Sequence, residues 1–291
     1  MHFVDAKGIL TAKNGVHGMN VYRGCSHGCV YCDSRSRCYH MEHAFEDIEV
    51  KRNAPELLER ALRSKRKRCM IGTGAMSDPY MHCERELGLT RRCLEIIRDY
   101  SFGATVLTKS DLVLRDAGLF LEIHHRAKCV VQMTLTTWDD GLCSILEPGA
   151  CPTRRRVEAL AELREMGIPT VVWMAPVLPY INDTEENIAA ILDACVRTGV
   201  RGIVCFDMGM TLREGDREYY YAALDRHFPG LKERYIREYG DAYILSSPNA
   251  GNLTRLFRET CIRHNILYRA EDCFAYLNAL PESAPRQMSL F

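Results

Sequence analysis

Cys25, Cys29 and Cys32 stand in one short run, Tyr22-Arg23-Gly24-Cys25-Ser26-His27-Gly28-Cys29-Val30-Tyr31-Cys32. Thiolates at this Cys-x3-Cys-x2-Cys spacing, held on one loop, suit three corners of an iron–sulfur cube and leave the fourth iron without a protein ligand. An iron with an open site can bind a second ligand and do chemistry on it. Gly24 and Gly28 flank the first two cysteines, where backbone wrapping a cluster needs positive φ and close approach. Structural zinc, the competing reading, asks for a second ligand pair at matching spacing, and no second Cys-x2-Cys or His-x3-His follows. A disulfide framework implies a secreted chain, whereas the N-terminus has no basic-then-apolar leader. The remaining cysteines are scattered singly and read as small buried apolar residues, with Cys38 the nearest to the loop.

The loop must be positioned by a scaffold, and 291 residues suffice for one large α/β barrel or two small domains. Lysine plus arginine (38) balance aspartate plus glutamate (38), so net charge singles out neither nucleic acid nor membrane as a partner. Nothing approaches the roughly 18 consecutive apolar residues of a membrane span. The many free thiols fit a reducing cytoplasm, which is the expected location.

Apolar runs of strand length alternate with segments of helical periodicity, the pattern of repeated βα units and a parallel sheet. Strands are expected at Gly18–Tyr22, Cys69–Gly72, Ala104–Thr108, Val130–Leu135, Thr170–Pro176 and Ile203–Asp207. Helices are expected from Asn53 or Ala54 with Pro55 in the first turn, from Leu89 to Tyr100, from Thr153 to Met166, and from Thr184 to Thr198. The last two end at Gly167 and Gly199. Asp183 reads as the cap of the fourth helix. The fold class is therefore α/β, an open (β/α)6 partial TIM barrel. The chain divides into an N-terminal extension (1–17), the barrel (18–218), a helical and short-strand extension (219–280) and a flexible tail (281–291). Within the extension, Asp241–Ser246 reads as a strand and Leu253–His264 as a helix.

The cysteine run, with aromatic Tyr31 before its last cysteine, resembles the radical SAM superfamily. That resemblance implies a 4Fe-4S cluster whose open iron chelates the methionine moiety of S-adenosylmethionine. It also implies cleavage of the cofactor to a 5′-deoxyadenosyl radical, a partial barrel with the cluster loop after its first strand, and an electron donor such as flavodoxin or ferredoxin.

Ligands of a parallel barrel sit over the carboxyl ends of the strands. After the second strand, the run from Gly72 to Tyr80 exposes backbone carbonyls, and Ser77 and Asp78 can accept hydrogen bonds from a protonated amino group. The family's usual Gly-Gly-Glu-like motif is absent there, leaving Asp78 as its polar substitute. The ammonium of Lys109 and hydroxyl of Ser110, after the third strand, suit the cofactor's carboxylate. Thr134 and Thr136 present hydroxyls from the fourth, and Pro176 helps to fix an extended loop for the adenine pocket. Ser77-Asp78-Pro79-Tyr80 and Thr108-Lys109-Ser110 resemble the spore photoproduct lyase-like branch. The hydrogen-donating cysteine that the lyase carries near its third strand end has no counterpart between Thr108 and Asp111. Tyr80, Cys83 and Cys205 are the substitutes considered.

The last five residues, Gln287-Met288-Ser289-Leu290-Phe291, resemble the pentapeptide that binds the bacterial DNA sliding clamp. In that resemblance Gln287, Met288, Leu290 and Phe291 enter the clamp's groove, anchored by the aliphatic and aromatic side chains. Arg63, Lys65–Arg68 and Arg154–Arg156 form two basic clusters suited to phosphates. The reading is a radical SAM enzyme acting on DNA lesions and recruited by the clamp. The alternatives are a radical SAM enzyme modifying tRNA or a small metabolite, and a non-catalytic DNA-associated iron–sulfur protein.

Overall fold

The computed structural model describes residues 1–281. Six parallel strands form its centre: β1 (Val16–Met19), β2 (Met70–Thr73), β3 (Gly103–Thr108), β4 (Cys129–Thr134), β5 (Thr170–Trp173) and β6 (Gly202–Val204). They lie side by side in chain order, and Leu10–Lys13 adds an antiparallel strand at the β1 edge. The crossovers carry α1 (Ala54–Ser64), α2 (Leu89–Asp99), α3 (Ala117–Arg126), α4 (Thr153–Glu165) and α5 (Glu185–Thr198). This is the expected partial (β/α)6 barrel. Central strand β4 is buried at every position, as a parallel strand covered on both faces must be.

All six expected strands and all four expected helices form, with shifted ends. β1 ends at Met19 rather than Tyr22, because Tyr22 leaves the barrel and pairs with Val50 in a separate three-stranded sheet of His2–Val4, Glu49–Lys51 and Tyr22–Arg23. The α5 cap is Thr184, whose hydroxyl accepts the Asn187 N–H at 3.2 Å, and not Asp183. Asp183 instead accepts the Ser247 hydroxyl at 2.5 Å and ties the C-terminal extension to the barrel. Helix α3 escaped the periodicity reading. Its Gly118 and paired histidines dilute the apolar stripe formed by Leu119, Phe120 and Ile123.

The extension pairs Ile244–Ser246 antiparallel with Gly209–Thr211 and adds helices Ala250–Arg263 and Ala270–Asn278. Helix Asp216–His227 runs through the expected boundary between 218 and 219, so that boundary follows no break in structure.

Gly74 joins β2 to the loop above it with φ of +102°, and a Cβ there would lie 1.9 Å from the Leu107 carbonyl oxygen on β3. Only glycine lets these two strand ends approach. Gly74→Ala is expected to destabilise the protein by at least about 3 kcal/mol through forced backbone displacement. Gly118→Ala, on the exposed side of α3 with nothing within 4 Å of its Cβ, should instead stabilise by about 0.5–1 kcal/mol. Thermal melts of the two variants beside wild type check the contrast.

Candidate active site

A cavity of about 540 Å³ opens over the carboxyl ends of the strands. One wall is the cysteine loop, bearing Cys25, Cys29 and Cys32; facing it are Gly74–Asp78 after β2 and Thr108 and Lys109 after β3. Thr134, the Ala175-Pro176 turn, and Phe206 with Asp207 continue the wall from β4 to β6. The rim is completed by Tyr39, Tyr243 and Ile244.

The cysteine loop is braced from three sides. The Cys25 N–H donates to the Phe45 carbonyl at 3.1 Å, and Gly24 (φ +84°) approaches that carbonyl so closely that a Cβ would lie 2.4 Å from it. The Ser77 hydroxyl donates to the Gly24 carbonyl. From the side of β4, Val30 N–H donates to Leu146 and Gly149 N–H to His27, at 2.9 and 2.8 Å.

Behind the loop lies a buried charge network. Arg156 and Glu147 are both fully buried and paired at 2.5 Å. Arg156 also donates to the carbonyls of Cys151 and Thr134, while Glu147 accepts from the Tyr31 and Thr136 hydroxyls. Burial alone would raise the Glu147 pKa, but the charges of Arg156 and Lys109 hold its carboxyl below the usual range. The Lys109 ammonium reaches over the Tyr31 ring, 5.8 Å from its centroid.

The cavity brings together Ser77, Asp78, Lys109, Thr134 and Pro176 with the three cysteines. Asp78 is more committed than a free acceptor: its carboxylate takes the Tyr80 N–H, the Thr108 hydroxyl and the Lys109 N–H, all within 2.8 Å. Ser110 and Thr136 do not line the cavity. Ser110 caps the 3-10 helix Asp111–Asp116 by accepting the Leu112 N–H, and Thr136 faces Glu147. None of Tyr80, Cys83 and Cys205 lines the cavity either. The Tyr80 hydroxyl is spent on Asp116 at 2.8 Å, and Cys205 lines a separate space of about 480 Å³ beside Phe257 and Tyr268. Tyr39 and Tyr243, which sequence reasoning did not single out, do face it; the first follows the cysteine run closely, but nothing local marks the second.

Burial pushes the Cys25 thiol up to about 12 and the Cys29 thiol higher still. Bare thiols are neutral there, so ligation requires a cationic centre whose charge offsets the desolvation of the thiolates. A single tetrahedral ion with Zn–S bonds of about 2.3 Å would draw the sulfurs to about 3.8 Å of one another. Among the described residues the group of potential ligands gathered within 4.8 Å lies elsewhere, at His2, His43 and Glu49. Three thiols that share one cavity wall without converging on a point fit a polynuclear centre better than one zinc.

A partial (β/α)6 barrel with three cysteines over its strand ends defines the class of radical-generating cluster enzymes. Residues 19–192, more than half of the chain, match the Radical SAM superfamily. The chain belongs to that superfamily, whose members use a 4Fe-4S cluster and S-adenosylmethionine. It is 29% identical over 227 residues to an uncharacterized protein of Mycobacterium tuberculosis, covering 76% of this chain and 66% of the relative. It thus spans slightly less than two thirds of that relative's length. An uncharacterized protein of Methanocaldococcus jannaschii is 32% identical over 169 residues, 57% of this chain and 62% of that protein. Among solved structures, a spore photoproduct lyase mutant with dinucleoside spore photoproduct superposes with a TM-score of 0.65 at 14% identity. The match covers 91% of this chain and 80% of the lyase, and at that identity it establishes a shared fold.

Removing Arg156 should strand a buried carboxylate. Arg156→Met is expected to cost about 3–5 kcal/mol, and pairing it with Glu147→Leu to recover most of that loss. Because Glu147 titrates lower in the folded protein than its ordinary 4.5, the stabilisation is complete above that value and declines as pH falls through the depressed one. Melts of wild type between about pH 7 and pH 3 should show this acid loss, and the double variant should show less of it.

Proposed function

We propose that the protein is a radical SAM enzyme acting on a nucleobase in nucleic acid, with a DNA lesion as the first candidate substrate. The observation carrying this reading is the composition of the cavity's rim. Phe206 and Tyr243 are 57% and 45% exposed, Phe206 meets Trp173 edge-on at 5.8 Å, and the Arg213 guanidinium lies over the Tyr243 ring at 4.7 Å. Exposed rings and a stacked guanidinium beside a deep polar pocket suit a flipped or single-stranded base, which stacks on aromatic faces. The similarity to the lyase fold agrees with this choice.

Cys25, Cys29 and Cys32 would hold the cluster, and when bound it supplies the electron that splits S-adenosylmethionine into methionine and the 5′-deoxyadenosyl radical. Lys109 would place its ammonium against the cofactor's carboxylate, and the carbonyls of Gly74–Ser77 would receive its amino group. Asp78 holds that loop and the β3 end in one arrangement. Pro176 and Thr134 would border the adenosine. With cofactor and substrate in place, the apolar and backbone surface of the cavity would limit the water that reaches a reactive carbon radical. Of the two rim hydroxyls, that of Tyr39 is donated to Asp33 at 2.8 Å, whereas that of Tyr243 accepts from Arg213 and would keep its own hydrogen to return to the substrate.

Neither basic cluster supports the reading. Arg154, Arg155 and Arg156 are engaged with Asp140, Asp111 and Glu147. Arg66–Arg68 lie on the loop entering β2, at the opposite end of the barrel from the cavity, near Lys65, which meets His17 at the start of β1. Recruitment to DNA would therefore rest on the C-terminal pentapeptide with Gln287, Met288, Leu290 and Phe291, which lies outside the described residues. Modification of tRNA remains the second reading, since the same rim accepts an RNA base. A flavodoxin or ferredoxin would supply the electron, and the cytoplasm is the corresponding location.

Reconstituted protein with strong reductant should yield 5′-deoxyadenosine and methionine, slowly without substrate. Lys109→Met should weaken cofactor binding by about 1.5–3 kcal/mol, roughly 10- to 150-fold, while leaving iron content unchanged. Cofactor binding without cleavage would instead favour a redox-sensing role. Tyr243→Phe should preserve cofactor cleavage and lower turnover of a lesion-containing oligonucleotide.

A peptide spanning 284–291 should bind a bacterial sliding clamp at about micromolar Kd, near −8 kcal/mol. Leu290→Ala with Phe291→Ala should abolish this binding and leave cofactor cleavage intact, measured by calorimetry and product chromatography.

A further inference from the structure

We propose that the small N-terminal sheet carries a second metal centre, a divalent transition-ion site of the zinc class formed by His2, His43 and Glu49. One ring nitrogen of each histidine and a carboxylate oxygen of Glu49 lie within 4.8 Å of one another. His2 and Glu49 are register partners on neighbouring parallel strands, so their side chains leave the same face of the sheet. His43 comes from the segment between the cysteine run and the second of these strands, and its ring meets the His2 ring edge-on at 4.8 Å.

The hydrogen bonds around the two rings set them up as ligands. The Asp47 carboxylate accepts from His2 Nδ1 at 3.0 Å, and the Ala44 carbonyl accepts from His43 Nδ1 at 3.1 Å. Both acceptors require a proton on Nδ1, which leaves Nε2 of each neutral ring as a bare lone pair. A carboxylate or carbonyl fixing the far nitrogen is the usual support of a metal-bound histidine. His43 Nε2 is shut off from solvent and has no hydrogen-bond partner, yet it faces Glu49 Oε2 at 3.7 Å. A lone pair opposed to a carboxylate repels unless a proton or a metal ion lies between them, and the nearby His2 ring supplies the further donor that a metal ion needs and a proton does not.

Neither cation beside Glu49 bonds its carboxylate. Arg23, its register partner, donates to the carbonyls of Tyr39 and His40, and Lys51, which feels the Glu49 charge, donates to the Asn20 carbonyl at 3.0 Å. Two imidazoles and one carboxylate suit zinc with a fourth position open to water. At zinc–ligand distances of about 2.0–2.2 Å tetrahedral donors stand about 3.4 Å apart, so the three atoms need close by at most about 1.4 Å, within reach of side-chain rotation. The side chains of His2, His43 and Glu49 are 42%, 25% and 18% exposed, so the cluster lies at the surface, and an ion would reach the sealed His43 Nε2 by a small rotation of these side chains.

Such an ion would act as a brace. It would fasten the strand His2–Val4 and the strand Glu49–Lys51 to the His43 segment, whose Phe45 carbonyl receives the Cys25 N–H. The cluster loop would then rest on a surface fixed by a second, redox-inert centre.

The test uses protein without a histidine tag in which Cys25, Cys29 and Cys32 are all replaced by alanine, removing competing thiolates. After equilibration with zinc chloride and desalting, elemental analysis should find about one zinc per chain. His43→Ala or Glu49→Gln in that background should lower retained zinc at least tenfold. Zinc should also raise the thermal midpoint of the parent protein and leave that of the His43→Ala variant unmoved. Should the triple-alanine protein fail to fold, cluster-loaded wild type gives the same decision: zinc in addition to iron, with X-ray absorption showing only nitrogen and oxygen around zinc. No zinc above the buffer blank, equal retention in the variants, or sulfur in the zinc shell would overturn the proposal.

Discussion

The buried pair of Arg156 and Glu147 is the constraint on which the site's geometry depends. Two full charges sealed from water are tolerated only because each is answered several times: Arg156 by two carbonyls as well as Glu147, and Glu147 by the hydroxyls of Tyr31 and Thr136. Arg156 belongs to α4, Glu147 to the loop before it, Thr136 to the end of β4, and Tyr31 to the cysteine run. One network thus fixes the depth of the cysteine loop against the fourth βα unit. It also explains why an aromatic with a hydroxyl stands before Cys32, since phenylalanine there would leave one oxygen of Glu147 underused.

A second clamp works from the opposite wall. Asp78 gathers the Thr108 hydroxyl and the Lys109 and Tyr80 N–H groups, so the ends of β2 and β3 move as one piece. The carboxylate oxygens are occupied by these groups, which makes Asp78 a positioning residue and leaves the neighbouring carbonyls to meet a cationic ligand. His27 lies 3.4 Å from the same carboxylate, and burial lowers its pKa, favouring the neutral ring. The site is thereby held between two carboxylate-centred anchors, Glu147 paired with Arg156 behind the cysteines and Asp78 beneath the ends of β2 and β3.

Much of this was legible in the residues because it is local. Cysteine spacing, alternating strand and helix periods, and the glycines Gly24 and Gly28 report local backbone needs. What the sequence concealed depends on long-range pairing. Arg156 looked like one member of a basic cluster, and only the fold brings Glu147 to it. Ser110 and Thr136 sit at strand ends as expected, but rotation about the exit turns sends one hydroxyl to a helix cap and the other into the charge network. Tyr80 and Cys205, whose side-chain positions the sequence does not fix, lie outside the cavity lining. Tyr243 is remote from every motif and reaches the rim only through the antiparallel pairing of Gly209–Thr211 with Ile244–Ser246.

That pairing also determines how a substrate approaches. The cysteine loop closes one side of the cavity and the extension closes the other, so access is confined to the rim formed by Tyr39, Phe206, Tyr243 and Ile244. A cavity of about 540 Å³ accommodates one drug-sized ligand. On the proposed function the cofactor would share this space, so the reacting part of a substrate would be small or flat and the remainder would stay outside. A nucleobase on a polymer meets both conditions, because the ring enters and the backbone does not. A folded protein substrate would need a protruding side chain to do the same.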